Sequence, residues 1–257
     1  MKHIFVSIFF ILLCVEVSSI FSACSKGEMP ALQRADSLLC EDQAEEAARL
    51  LDSVKTVAEV WSEAARMRHA LLSAEAQNKR FIPFTDDSLL LAVVDYYEKE
   101  GTPFDCMRAY YVMGSVYRDL KWNAQAQQYY HKAVEIADTT DTAQLRLLAR
   151  VYGQLGDAYS VHGHTANVLE IYKKEAYCGF LSKDTLMAAA GLLKQGFCYS
   201  KNSKYDSMVY FGQLAERLYA ESSHKRLRPN ALLSQINGYV RLKDFNRADS
   251  HMGRAHV

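Results

Sequence analysis

Apolar residues fall at helical intervals along most of this chain. From Trp61 to Lys79 they recur every three or four positions, which predicts one long amphipathic helix. Asp87 to Tyr97 reads as its partner, with Asp86 or Asp87 as N-cap and Gly101 as a C-terminal stop. Between them, Phe81 to Phe84 is an apolar connection in which Pro83 ends helix continuity. Upstream, residues 35–39 and 46–53 read as another helix pair, with Ala47 at a small packing position. Downstream, Tyr110, Met113, Gly114 and Tyr117 share one helix face, and Ala126, Tyr130 and Ala133 share the next. Gly114 and Ala126 remove bulk where those helices cross, so a large side chain at 114 is expected to force them apart.

The arrangement repeats. Gly114's place is filled next by Gly156, Gly196 and Ile236. Tyr110-x2-Met113-Gly114-x2-Tyr117 followed by Ala126-x3-Tyr130 resembles the tetratricopeptide repeat, which runs aromatic-x2-Leu-Gly-x2-Tyr and then Ala-x3-aromatic. Tyr152-x2-Leu155-Gly156-x2-Tyr159 is a second copy. Its partner helix carries Val168 and Tyr172, with Glu175 where Ala133 corresponds, which predicts looser or shifted packing there. Gly196 and Tyr199 with Met208 and Ala215, then Tyr239 with Ala248 and Ala255, continue the series. The period of about 40 residues exceeds the usual 34, so the helices should run longer than in the family. The resemblance implies an all-α fold, a right-handed superhelix of about six antiparallel helix pairs over residues 31–257, with the last repeat incomplete.

Composition agrees: 12 Gly and 4 Pro among 257 residues favour helices over strands and turns. A formal net charge of zero gives no basic footprint for nucleic acid. The N-terminus has its own pattern. Met1-Lys2-His3 is a short basic start, Ile4 to Val15 is apolar, and Glu16 to Ala23 is a more polar approach to a small-residue site, together a targeting segment. Phe21-Ser22-Ala23-Cys24 resembles the lipobox of bacterial lipoproteins, although Phe21 departs from the Leu preferred there. The resemblance implies a signal peptide at 1–23, lipid on Cys24, a tether at 24–30, and a place at the cell envelope of a Gram-negative bacterium, facing periplasm or exterior. Simple secretion is the alternative. Cys40, Cys106, Cys178 and Cys198 show no paired spacing and read as small packing residues.

The chain carries no nucleophile elbow, zinc-helix motif or phosphate loop. His162-Gly-His164 lacks a third ligand nearby, so neither a metal nor another cofactor is expected. Arg217 with His224 to Arg228 forms the local basic run, placed at a helix end. No catalytic residue is nominated, and the chain reads as a binding protein rather than an enzyme.

In the repeat family the inner surface is lined by places two, five, nine, twelve and thirteen of each first helix. The resemblance therefore implies a groove of Arg108, Tyr111, Ser115, Arg118 and Asp119, then Arg150, Asp157 and Ser160, then Lys201, Asn230, Asn237 and Arg241. Such arginines and amides suit an acidic or extended peptide. Tyr111 and Ser115 stand where chaperone-binding members carry Lys and Asn, which argues against a receptor for carboxyl-terminal peptides. Ala35 to Leu38, Leu50 to Ser53, Ile82 to Leu89 and Ala109 to Leu120 are similar to phrases in large exported bacterial repeat proteins. Those proteins often continue through a membrane helix to an intracellular signalling or DNA-binding part. The expected function is a non-catalytic protein- or peptide-binding scaffold, sensory or recruiting. The alternative is a structural lipoprotein subunit of an outer-membrane assembly or uptake complex.

Overall fold

The computed structural model describes residues 30–58, 60–160 and 165–255. The expected signal peptide, Cys24, most of the tether and the pair His162 and His164 lie outside the described residues. Those residues form twelve α-helices and no strand: α1 (30–40), α2 (Ala44–Ala58), α3 (Glu63–Lys79), α4 (Ser88–Glu100), α5 (Pro103–Asp119), α6 (Asn123–Glu135), α7 (Thr142–Ser160), α8 (Thr165–Leu181), α9 (Thr185–Lys201), α10 (Tyr205–Glu221), α11 (Arg228–Arg241) and α12 (Phe245–Ala255). A single 3-10 turn, Lys225–Leu227, leads into α11. None of these helices is long and apolar enough to cross a membrane.

Local chemistry sets the helix ends. α3 starts two residues later than the apolar spacing predicts, because Ser62 caps it by accepting the Ala65 N–H at 3.3 Å, which leaves Trp61 outside. Thr102 and Asp105 form a reciprocal capping box at the start of α5, with Pro103 in the first turn. At the other ends, Lys121, Lys183 and Lys243 sit in the left-handed region, with φ of 66°, 56° and 61°. The following N–H then closes onto the carbonyl five residues back, as in Trp122 to Tyr117 and Asp184 to Gly179, both 2.8 Å. A lysine held there costs about 1 kcal/mol relative to glycine.

The chain divides into two compact units, one ending at Lys99 and the other beginning at Glu100. In the first, Leu32, Ala35, Leu38, Leu39, Ala47, Leu51, Trp61 and Leu72 form the core of α1 to α3, and α4 buries Leu90, Val93, Val94 and Tyr97. In the second, α5 to α12 pack in consecutive pairs, and each pair packs on the next. The first helices α5, α7, α9 and α11 also touch in succession. Among the described residues the second helices make no comparable contact, so this unit is stacked more tightly on its first-helix side.

The crossings are as close as the small residues imply. A Cβ on Gly114 would run into the Tyr130 ring, and one on Gly156 into the Tyr172 ring. Loosened packing is not what Glu175 brings. It is 1% exposed, and the room it needs comes from Gly153 across the interface, where an added Cβ would meet its carboxyl at 2.6 Å. Cys178 and Cys198 are free and buried, Cys106 is half-buried, and Cys40 is exposed rather than packed.

Candidate functional site

The residues assigned to the inner face divide into two groups. Those on α5 and α7 are engaged within the fold. Arg108 is buried with its guanidinium 5.7 Å from the centre of the Phe104 ring. Ser115 is buried too, its hydroxyl donating to the Tyr111 carbonyl at 3.1 Å. Arg118 donates to Asp119 at 2.9 Å and to Gln154 at 2.8 Å. Arg150 lies 3.6 Å from Asp184, the residue that caps α9. Ser160 donates to the Asp157 carbonyl. Tyr111 is half-buried, its ring tilted against Tyr130 at 6.3 Å.

Asp157 belongs to a charged cluster between α7, α8 and α9. It accepts from the Tyr172 hydroxyl at 2.9 Å and from Lys194 at 3.1 Å. Lys194 also reaches Glu175 at 3.3 Å and the Gly153 carbonyl at 3.3 Å. Burial pushes the Glu175 carboxyl up to about 7, against the pull of Lys194. Burial, aided by Asp157, also holds the Tyr172 phenol well above its ordinary value. Glu175 Oε2 is buried, and among the described residues it has no hydrogen-bond partner. One amine is thus shared between two carboxylates, and the cluster joins α7, α8 and α9.

The residues on α9 and α11 are different. Asn230, Asn237 and Arg241 are exposed, and among the described residues none of their side chains makes a hydrogen bond. Lys201 is exposed as well, its ammonium 4.8 Å from the centre of the Phe197 ring. Beside them stand three apolar side chains that a search for polar groove residues passes over: Phe197, 50% exposed, Leu233, 56%, and Val240, 44%. They occupy places nine, five and twelve of the same repeats. Repeat register alone was the signal that would have found them.

This face therefore offers water-exposed apolar area interleaved with amide and cationic donors. That combination fits an extended chain, whose backbone is hydrogen-bonded by amides while its side chains cover the apolar spots. Nothing there pairs a nucleophile with a base. Among the described residues no three His, Cys, Asp or Glu are placed to hold a metal ion.

Comparison with known proteins follows the same lines. A tetratricopeptide repeat model matches residues 108–140, which cover most of α5, all of α6 and the turn after them. No curated protein matches the sequence. The apo quorum sensor NprR from B. thuringiensis is similar in structure, with a TM-score of 0.64 and 14% identity over 89% of this chain and 63% of that one. BtubC from P. vanneervenii has a TM-score of 0.61 and 12% identity over 89% of each chain. Aspartyl phosphate phosphatase F from Bacillus subtilis has a TM-score of 0.54 and 10% identity over 88% of this chain and 72% of that one. At these identities the likeness is one of fold, and the fold is carried by sensors and by a phosphatase alike. What the matched repeat and these structures jointly establish is a TPR-like repeat fold of consecutively packed helix pairs.

Proposed function

We propose that this chain is a non-catalytic protein- or peptide-binding scaffold, held at the cell envelope of a Gram-negative bacterium by lipid on Cys24 and serving a sensory or recruiting role. The observation that carries the binding part is the unengaged face of α9 and α11, with Phe197, Leu233 and Val240 exposed beside Asn230, Asn237 and Arg241. The likeness to the quorum sensor NprR lends support to a peptide or short protein segment as the ligand. The envelope part rests on the lipobox resemblance alone.

A photo-crosslinking residue at Asn237, with one at the exposed Arg217 of α10 as control, tests the binding face in intact cells. The expected outcome is a defined adduct from position 237 and none from 217. Equal labelling, or no adduct from either, would sink the assignment of this face. Replacing Cys24 with Ser should release the protein from membranes; retention would argue for an uncleaved anchor.

The second reading, a structural subunit of an outer-membrane assembly, is favoured by Phe245, Met252 and Leu242, all exposed on or just before α12. Co-purification with a barrel protein in fixed stoichiometry would favour it over the sensory one.

A further inference from the structure

The first unit holds a groove of about 500 Å³ between α2 and α3. Ala48, Asp52 and Lys55 line it at one-turn intervals along α2, and Arg66, His69, Ala70, Ser73, Gln77 and Arg80 line it along one face of α3 and its C-cap. Arg66 and Arg80 lie about 21 Å apart at 1.5 Å per residue. A wall of that length matches about six extended residues. The shape suits a strand of chain better than a compact metabolite.

The two ends of the groove have different chemistry. Arg80 lies 2.9 Å from Glu45, and the His69 ring nitrogen is 3.0 Å from the Leu51 carbonyl, so α2 and α3 run antiparallel. That direction places Lys55 beside Arg66. Both are exposed, and neither is ion-paired among the described residues. Asp52 is the sole carboxylate among the described residues lining the groove, so this end has two cations to one anion. At the other end Gln77 donates to the Ile82 and Pro83 carbonyls at 3.4 and 3.2 Å, fixing the apolar connection noted in the sequence. Ile82 and Leu89 line the groove there with 42% and 54% of their surface exposed. Between the ends the floor is small: Ala48, Ala70 and Ser73.

We propose that this groove docks an extended segment of a partner protein, with a carboxylate side chain at the Lys55–Arg66 end and a bulky apolar side chain at the Ile82–Leu89 end. The site is separate from the α9–α11 face and stands whether or not that face binds anything.

The probes are fluorescein-labelled, end-capped hexapeptides, Glu-Glu-Ser-Ala-Leu-Leu and its reverse, with versions carrying Gln for Glu, titrated against the full chain in detergent. One of the two Glu peptides should bind about tenfold or more tighter than its Gln version, as charge-assisted bonds to Arg and Lys require. In a Lys55→Gln, Arg66→Gln variant that preference should vanish while affinity for the Gln peptide is unchanged. Ser73→Leu, which fills the middle of the groove, should weaken both versions about tenfold or more. All three positions lie on exposed or half-exposed helix surface, and circular dichroism checks that the helices persist. Equal affinity for Glu and Gln peptides, no binding of any probe, or unchanged binding in both variants overturns the proposal. So does bound-peptide protection from hydrogen exchange on α9 and α11 instead of α2 and α3.

Discussion

The α5–α6 pair and the α7–α8 pair are built to one register, yet they fill the same crossing with opposite chemistry. Both seat a tyrosine ring against a glycine, Tyr130 on Gly114 and Tyr172 on Gly156. In the first, the neighbouring space is aromatic and aliphatic: Tyr111 faces Tyr130, Tyr129 lies 5.5 Å from Tyr117, and Ala133 is fully buried. In the second, Glu175 stands in Ala133's place and Gly153 in Tyr111's, and Lys194 from the next repeat joins Glu175 to Asp157. The exchange works because the volume lost at 153 is regained at 175, and because the buried carboxylate has a cation within reach. A repeat can thus change from a ring-filled to a charge-filled junction without leaving its fold.

The largest expected effect comes from making half of that exchange. Ala133→Glu puts a carboxylate beside Tyr111 with neither a facing glycine nor a lysine, and should destabilise by about 4 kcal/mol. Pairing it with Tyr111→Gly should recover part of the loss, which chemical denaturation would read. If Ala133→Glu alone leaves the midpoint unmoved, the two junctions are not equivalent.

Lys194→Met removes the cation from the second junction. The expected cost is about 3 kcal/mol at pH 8, because Glu175, having lost the pull of Lys194, must either stay charged, buried and unpaired or take up a proton from alkaline solution. At pH 5 Glu175 is largely protonated, and the cost should be clearly smaller. A pH-independent loss would mean that Lys194 acts through packing alone.

The pH dependence of the native chain is a milder probe of the same group. Glu175 has a folded value of about 7 against 4.5 for the free side chain, so between those values the folded state holds more protons than the unfolded one. Stability contributed at this site is therefore greatest below about pH 4.5 and falls as pH rises through 7. The slope from one such group is at most about 1.4 kcal/mol per pH unit. Glu175→Gln should flatten that segment of the stability–pH curve, and an unchanged slope would assign it to other groups.

Smallest is the difference between the two tyrosines. Tyr172→Phe loses the donation to Asp157 and should cost about 1 kcal/mol. Tyr130→Phe loses a 3.5 Å approach to Ser115, too long for much of a hydrogen bond, and should be close to neutral. Equal effects would mean that the hydroxyls play the same part in both repeats.

Much of this architecture was legible in the sequence, because packing at a helix crossing constrains residue size and spacing in ways that recur. Gly114, Gly156, Tyr130 and Ala133 announce close contact by type and position alone, and the helix pairs follow from the period. The candidate face was only half legible. Place within the repeat nominates residues of the first helices, but whether such a residue is available depends on partners from other helices. Arg118 meets Gln154, and Arg150 approaches Asp184, from residues more than 30 positions away. Phe197, Leu233 and Val240 were passed over by a search for polar residues, and their exposure became apparent once their neighbours were in place.

The sequence by itself determined the helix pairs, their order and the glycine crossings, since these rest on local propensity and on a periodicity written along the chain. The tertiary structure alone decided that Glu175 is buried and shares Lys194 with Asp157. It also decided that the nominated residues on α9 and α11 are exposed while those on α5 and α7 are engaged within the fold, and that Lys55 and Arg66 line one groove in the first unit. Burial and charge pairing are properties of the residues a side chain meets in space, and those neighbours are fixed only when the helices have packed.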